Sequence, residues 1–302
     1  PVENRLGELW SIFSFLMPGY LPSYKSFCSR FEKPIVQEED QTAVRRLNQL
    51  TGPFILRRMK SDVLKELPPK TENVYRIELE EEQRKLYLAA VVDAREKLRA
   101  AKPEDKMAVF AVLMRLREIC CDPRLIADNW EGGSAKLDAC VELVSSAVEG
   151  GHRILLFSQF TSMLELLAKR LDAEGISHFT LQGSTPKPVR AELVRRFNGG
   201  EVSVFLISLR AGGTGLNLTA ADIVIHYDPW WNVAVQNQAT DRAHRIGQKN
   251  VVTVYKLVSQ GTIEEKIIDI QEKKKKLAEQ VLEGEGMDSV VFTKEEIMEL
   301  LG

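Results

Sequence analysis

The sequence predicts an α/β fold: a parallel sheet flanked by helices, with additional helical segments before and after it. Three observations predict it. Five short, almost wholly apolar runs recur between residues 153 and 258, helical patterns lie between the early ones, and Gly or Pro marks the ends of those helices. Strands buried on both faces read as unbroken apolar runs. Their alternation with helices implies parallel strands joined by right-handed crossovers.

The runs are RILLFS (153–158), HFTLQ (178–182), VSVFLIS (202–208), DIVIHY (222–227) and VVTVYKLV (251–258). Between the first two, TSMLELLAKRLDAEG has a helical pattern ending at Gly175. PKPVRAELVRRFNGG then opens on proline and closes on glycine, as a helix does. Ahead of the sheet stand two helical patterns, EEEQRKLYLAAVVDAREKLRAA (80–101) and DKMAVFAVLMRLREICC (105–121), with KPED as turn and cap between them. NWEGGS (129–134) reads as a linker. After the sheet, a helix is expected from Thr262 to about Leu282, carrying KKKK at 273–276, and KEEIMELL (294–301) forms a last amphipathic helix.

The first 80 residues are less regular. RLGELWSIFSFLM (5–17) is an apolar helix stopped by Pro18-Gly19, with a stripe of Leu6, Leu9, Trp10, Phe13, Leu16 and Met17. FILRRMKSDVLKELPPK (54–70) mixes basic and apolar residues. ENVYRIELE (72–80) alternates like a strand but has no strand beside it in sequence, so its edges are expected to be unpaired.

Composition narrows the function classes. With 44% hydrophobic and 28% charged residues in 302, the chain reads as globular. No apolar run approaches the roughly 18 residues of a membrane span. It starts at Pro1, from which a longer parent chain is expected, and no secretory signal is read at its start. Net charge is -2, so a contact with nucleic acid would come from a local patch. None of Cys28, Cys120, Cys121 and Cys140 forms a C-x-x-C pair, so no zinc site is expected and buried free thiols are.

Two stretches carry chemistry. RAGGTGLNL (210–218) follows the third strand, where glycines let backbone amides approach a phosphate; a plain tight turn is the other reading. In QATDRAHRIGQ (238–248), Gln238, Arg242 and Arg245 stand at i, i+4 and i+7, on one face if the segment is helical. Two guanidiniums held together repel unless they share an anion, and the planar fork suits phosphate. The alternative is a surface pair answered by carboxylates such as Asp241, while His244 reads as a capping or interface histidine.

DPWWN followed by QATDRAHRIGQ resembles the last helicase motif of the Swi/Snf-type remodelling ATPases, a branch of helicase superfamily two. FSQFTSMLELL is similar to that family's fourth motif, LQGSTP to its Gly-Ser-Thr motif, and ISLRAGGTGLNLTAADIVIHYDPWWN to its fifth. LRRMKSDVLKELPPK and GTIEEKI match segments flanking the second lobe. The departures are small: Gln182 stands where Asp is common, and Val233 where Pro is.

The resemblance implies a RecA-like second lobe of an ATP-driven translocase on double-stranded DNA. It implies that Arg242 and Arg245 act as arginine fingers, with Gln238 in support and Gly215 and Asn217 bordering the nucleotide. Ser158, Ser184, Thr185, Ser208 and Trp231 would face DNA. ATP with Mg2+ would be held mainly by a first lobe, since no G-x-x-x-x-G-K-[ST] loop occurs here and no metal ligand is assigned.

The expected domains are 1–79, the end of the first lobe; 80–133, a helical protrusion and linker; 134–261, the RecA-like lobe; and 262–302, a brace and C-terminal helix. Double-stranded DNA and the first lobe are the expected partners. Self-association is expected through residues 1–80 if their apolar stripe and strand lack cover. The compact second lobe points to the bacterial cytoplasm, by the nucleoid, rather than a nucleus. An RNA or single-strand helicase, and a non-catalytic binding module, are the alternatives.

Overall fold

The computed structural model describes residues 6–37, 40–56, 64, 66–100, 105–127, 129–212, 215–230, 232–269 and 271–272. The chain divides into two compact units between Glu66 and Leu67.

The first unit is helical: α1 (Leu6–Leu16), α2 (Tyr24–Phe27), a π-helical turn at Cys28–Glu32, α3 (Lys33–Gln37) and α4 (Gln41–Thr51). Pro18 and Gly19 follow α1 as expected, and Gly19 takes the left-handed φ of 81° that lets the chain turn back. Asp40 caps α4 by accepting from the amides of Thr42 and Ala43. The apolar stripe of α1 is not left uncovered. Leu9 and Phe13 are buried with Leu21, Phe27, Phe31 and Leu47, and Leu6, Trp10 and Met17 pack against them. Leu16 alone of the stripe faces solvent, at 68% exposure.

The second unit is built on six parallel strands: β1 (Lys70–Ile77), β2 (Ile154–Ser158), β3 (His178–Leu181), β4 (Val204–Ser208), β5 (Ile223–His226) and β6 (Val252–Ser259), in the spatial order β1-β6-β5-β2-β4-β3. Its helices are α5 (Glu81–Ala100), α6 (Lys106–Cys121), α7 (Ala135–Glu149), α8 (Thr161–Ala173), α9 (Lys187–Asn198), the short α10 (Leu209–Gly212) and α11 (Val233–Thr240). A last helical run over 263–269, α12, follows β6. Side chains of α7 and α8 cover one face of the sheet, Val141, Val144, Leu164 and Leu167 packing on Ile154, Leu156 and Ile225. Phe197 of α9 and Ala239 of α11 cover the other, on Leu155, Phe157, Phe205 and Val224. Every residue of β2, β4 and β5 is buried, which is why they read as apolar runs.

The helical pair α5–α6 has a core of its own, joining Tyr87, Leu98, Leu113, Leu116 and Ile119 to Ile263 and Ile267 of α12. No described helix is long and apolar enough to cross a membrane. Cys120, Cys121 and Cys140 are buried free thiols, and Cys28 is a partly buried one. The lysine run at 273–276 and the helix expected at 294–301 lie outside the described residues, as does most of the basic segment at 57–65.

Two expectations need correction. The strand expected to be unpaired, and assigned to a first-lobe segment, is β1 of this sheet. It pairs along its whole length with β6, from Lys70 opposite Val252 to Ile77 opposite Ser259. The reason is that β6 offered an open edge, and ladder hydrogen bonds are gained by filling it. Glu72 adds charge to the pairing, lying 2.9 Å from Lys256 across the strands and 2.6 Å from Lys70. The second correction is an addition. Helix α7 follows directly on the segment read as a linker, with Ser134 accepting from the Leu137 amide as its cap.

The β1–β6 contact is sensitive to acid. Burial works against the Glu72 charge, but Lys256 and then Lys70 outweigh it and hold the carboxyl down at about 2. A depressed carboxylate stabilises the fold above its unfolded value near 4.5, and that stabilisation is lost as pH falls toward 2. Hydrogen exchange of residues 70–77 should therefore accelerate between pH 4.5 and 2, beyond the intrinsic change, in the wild-type chain. In Glu72→Gln it should be faster at neutral pH and lack that acid-dependent step. Equal protection of the two chains at pH 7 would show that the charge does not hold the strand.

Candidate functional site

The loops that follow β2, β3, β4 and β5 all leave the carboxyl edge of the sheet, where ligands of open α/β sheets bind. Ser158 and Ser208 end β2 and β4 side by side. Both are buried, and their hydroxyls face inward: that of Ser158 accepts from the Phe160 amide at 3.1 Å, and that of Ser208 from the Ala211 amide at 3.3 Å. After β3, Ser184 is exposed and Thr185 half-buried, its hydroxyl accepting from the Gln182 amide at 3.1 Å. Of these four hydroxyl residues, the pair after β3 reaches the surface. Trp231 lies outside the described residues.

The glycine loop and the arginine segment come together. Gly215 is exposed with a positive φ of 39°, a conformation open to glycine. The next residues are tied to the arginines by backbone contacts: the Leu218 amide donates to the Arg242 carbonyl at 3.0 Å, and Nη1 of Arg245 donates to the Leu216 carbonyl at 3.2 Å. Asn217 is exposed, and its carbonyl accepts from the Asn198 side chain at 2.8 Å.

The segment is not helical throughout, which corrects the i, i+4, i+7 reading. Helix α11 ends at Thr240, so Gln238 is on it while Arg242 and Arg245 lie in the turns beyond. The cause is competition for carbonyls. The Arg242 carbonyl is taken by Leu218, and the Ala243 carbonyl by the Gln248 side chain at 3.1 Å, so a helix resumed beyond the turn would share its acceptors for the amides of residues 246 and 247. Gln248 also donates to the Ala221 carbonyl at 2.7 Å and accepts from the amides of Lys249 and Asn250. Gly247, at φ 101°, allows the reversal. All three candidate side chains are half-buried.

Charge in the turn is under stress. Burial, followed by the neighbouring Arg245, lowers Arg242 from its ordinary value, and Asp241 only partly opposes them. Two guanidiniums are thus close enough to repel in a partly dehydrated place, which is the electrostatic state that an anion relieves. His244 ties the turn to the segment before β1: its Nε2 donates to the Pro68 carbonyl at 2.8 Å. His226, at the end of β5, is buried against Thr240 Oγ1 at 2.9 Å and pushed down to about 3 by burial, so it is neutral.

Sequence reasoning missed two buried cations. Arg117 of α6 contacts Asp228 and Pro229 of the DPWW loop, and Lys136 of α7 pairs with Glu264 of the GTIEEKI segment. Both lie on amphipathic helices, where a basic residue ordinarily reads as solvent-facing. The one available signal was the pair of acids, which sit in the same two motifs that carry the family resemblance.

Residues 1–125 match the SNF2-related domain, and residues 135–247 match the helicase conserved C-terminal domain. The chain belongs to the SNF2-related helicase family. It is 39% identical over 305 residues to an uncharacterized ATP-dependent helicase of Mycoplasma pneumoniae, covering 99% of this chain and 29% of that protein. It is 41% identical over 304 residues to the putative ATP-dependent helicase/translocase YwqA of Bacillus subtilis, covering 98% of this chain and 33% of that protein. The SNF2-related chain therefore spans about a third of the length of these relatives. Among solved structures, the Sulfolobus solfataricus SWI2/SNF2 ATPase core in complex with dsDNA is similar with a TM-score of 0.62 and 33% identity, covering 93% of this chain and 61% of that one.

The arginine turn of this SNF2-related chain places two guanidiniums beside a loop with a positive-φ glycine, an arrangement suited to an anion. Among the described residues, no group of three or more His, Cys, Asp or Glu side chains is placed to hold a metal ion.

Gln248 holds the turn shut. Gln248→Ala leaves the carbonyls of Ala221 and Ala243 and two amides without that partner, and should lower the free energy of unfolding by about 1–3 kcal/mol in urea titrations. No change in midpoint would mean that water replaces the side chain at no cost.

Proposed function

We propose that this chain supplies the second half of a split ATP site in a DNA-dependent SNF2-type motor. The observation that carries the reading is the arginine turn locked to the glycine loop, with the Arg242 carbonyl accepting from the Leu218 amide and the Arg245 side chain donating to the Leu216 carbonyl. In this reading Arg242 and Arg245 act on the phosphates as fingers, Gln238 stands beside them on α11, and Gly215 and Asn217 border the nucleotide. Bound Mg·ATP supplies a phosphoanhydride whose charge grows as it is cleaved. The chain's own part is to present fixed positive charge at that position without having to reorganise.

Duplex DNA is the proposed track, contacted from Ser184, Thr185 and Trp231, with the ends of β2 and β4, at Ser158 and Ser208, shaping the same edge. The similar SWI2/SNF2 ATPase core solved in complex with dsDNA supports this reading. The proposed division of labour leaves the phosphate-cradling loop and the magnesium carboxylates to a first lobe. The helices before β1 are read as belonging to that lobe's end, and α5–α6 as a protrusion of the second lobe.

The test uses the 302-residue chain alone and within one polypeptide that also carries the upstream helicase half. The chain alone should hydrolyse no ATP with or without duplex DNA. In the longer polypeptide, Arg245→Ala should cut DNA-stimulated turnover on the order of 10³-fold, the scale of a lost arginine finger. Arg245→Lys should fail similarly, because an ammonium is a point charge and not a fork. Duplex affinity should stay nearly unchanged in both. Equal losses of DNA binding and turnover would assign the turn to DNA phosphate instead.

A further inference from the structure

Arg117 lies outside the proposed nucleotide site and outside the sheet, on α6, and is wholly buried. One of its Nη atoms donates to Gln159 Oε1 at 3.0 Å. The other donates to Asp228 Oδ2 at 3.1 Å and to the Pro229 carbonyl at 2.8 Å. Its guanidinium carbon is 5.0 Å from the Trp230 ring centre and 5.4 Å from that of Phe160. Asp228 in turn accepts from the Gln159 amide at 3.1 Å. Three segments therefore meet on one planar ion: α6, the β2–α8 connection and the β5–α11 connection.

The β5–α11 connection runs directly into the arginine-bearing segment. Asn232 is buried and caps α11 by accepting from the amides of Ala234 and Val235. Gln271 donates to the Trp230 carbonyl at 2.5 Å. From there α11 carries Gln238 and ends in the turn of Arg242 and Arg245. The direction in which α11 leaves the sheet is fixed by few residues, and Arg117 holds three of them, Asp228, Pro229 and Trp230.

We propose that Arg117 is a positioning residue, whose planar guanidinium sets the connection that launches α11 and thereby sets where Gln238, Arg242 and Arg245 stand. The proposal rests on the nucleotide role assigned above to that turn. It also gives the α5–α6 pair a direct mechanical link to the arginines. A buried ion pair adds little net stability over an apolar pair of similar volume, so the consequence of this one is geometric. Geometry is also what lysine lacks: one ammonium cannot serve Gln159, Asp228 and Pro229 in their fixed directions while lying flat between two rings.

The test compares Arg117→Lys and the paired Arg117→Met/Asp228→Leu with the wild-type 302-residue chain, by melting and by hydrogen exchange resolved along the sequence. In both variants, exchange across residues 233–248 should speed up ~10-fold or more while β2 and β4 keep their protection. In the polypeptide carrying the upstream half, both should lose on the order of 10²-fold in kcat, with KM for ATP changed far less. Wild-type exchange and turnover in Arg117→Lys would overturn the proposal, since charge alone would then suffice. Protection lost equally in β2, β4 and 233–248 would also overturn it, marking a general structural role. If Arg245→Ala leaves turnover intact, the reading of the turn fails, while the exchange pattern still reports on Arg117 itself.

Discussion

The second unit is organised around a buried ion pair, Lys136 with Glu264. Both side chains are fully buried and bonded to each other. Burial alone would strip the charge from Lys136, yet the Glu264 carboxylate holds it above its ordinary value. A buried ion of either sign costs several kcal/mol if left alone, so neither residue is tolerable without the other. That requirement fixes three places at once. Lys136 is in the first turn of α7, Glu264 in the first turn of α12, and the carboxylate also accepts from the Ser259 amide at the end of β6 at 2.9 Å. The order of the helices around the sheet is specified here by charge matching, where apolar contact alone would allow sliding.

The same point closes the end of α6. A helix leaves its last carbonyls without partners, and in a buried place they must be met by side chains. Ser259 donates to the Cys120 carbonyl at 3.1 Å, while Tyr227 and Ser134 donate to that of Cys121 at 2.9 and 3.0 Å. Those three donors come from the end of β6, the end of β5 and the cap of α7. The helical pair is therefore joined to the sheet by polar bonds as well as by its apolar core. Tyr87 and Gln83 of α5 complete the join, Tyr87 accepting from the Ile263 amide at 2.7 Å and Gln83 donating to the Ile119 carbonyl at 2.8 Å. With this frame set, α6 presents Arg117 to the DPWW loop at a defined height.

How much of this was legible depended on which force placed each element. β2 to β6 were readable to within a residue or two: β2, β4 and β5 because burial on both faces leaves little room for polar positions, β3 and β6 because most of their residues are still apolar. β1 was readable as a strand but not as a partner of β6: residues 70–77 are mostly exposed and charged, so nothing local in KTENVYRI announces the neighbour. Helix α7 carries its cap in Ser134 and an apolar face in Leu137, Val141 and Val144, yet the preceding GG drew the reading toward a linker. The candidate residues of the arginine turn were found correctly as neighbours of the glycine loop, but for a partly wrong reason. Their spacing suggested one helical face, whereas the helix ends at Thr240 and the bond from Leu218 to the Arg242 carbonyl ties the turn to the loop. That bond and the one from Gln248 to Ala221 join residues 24 and 27 positions apart, and periodicity carries no trace of them. The serines at the ends of β2 and β4 show the converse. Their positions at the carboxyl edge were legible, but the inward turn of the hydroxyls depends on backbone amides two and three residues on.

The arginine turn then poses a question of balance. A fold can hold two guanidiniums together by surrounding them with carboxylates, which would cancel the charge that makes them useful to a phosphate. Here the restraint on Arg245 is a carbonyl, the restraint on the Arg242 backbone is an amide, and Gln248 supplies both donors and acceptors without charge. Neutral dipoles fix the Arg242 backbone and the Arg245 side chain in place. The depressed state of Arg242 is the visible cost, set by burial first and by Arg245 next. Two buried charged pairs, Lys136 with Glu264 and Arg117 with Asp228, fix geometry at other places in the unit. The connection from Asp228 to α11 starts at the Arg117 pair and leads into the segment that carries Arg242 and Arg245.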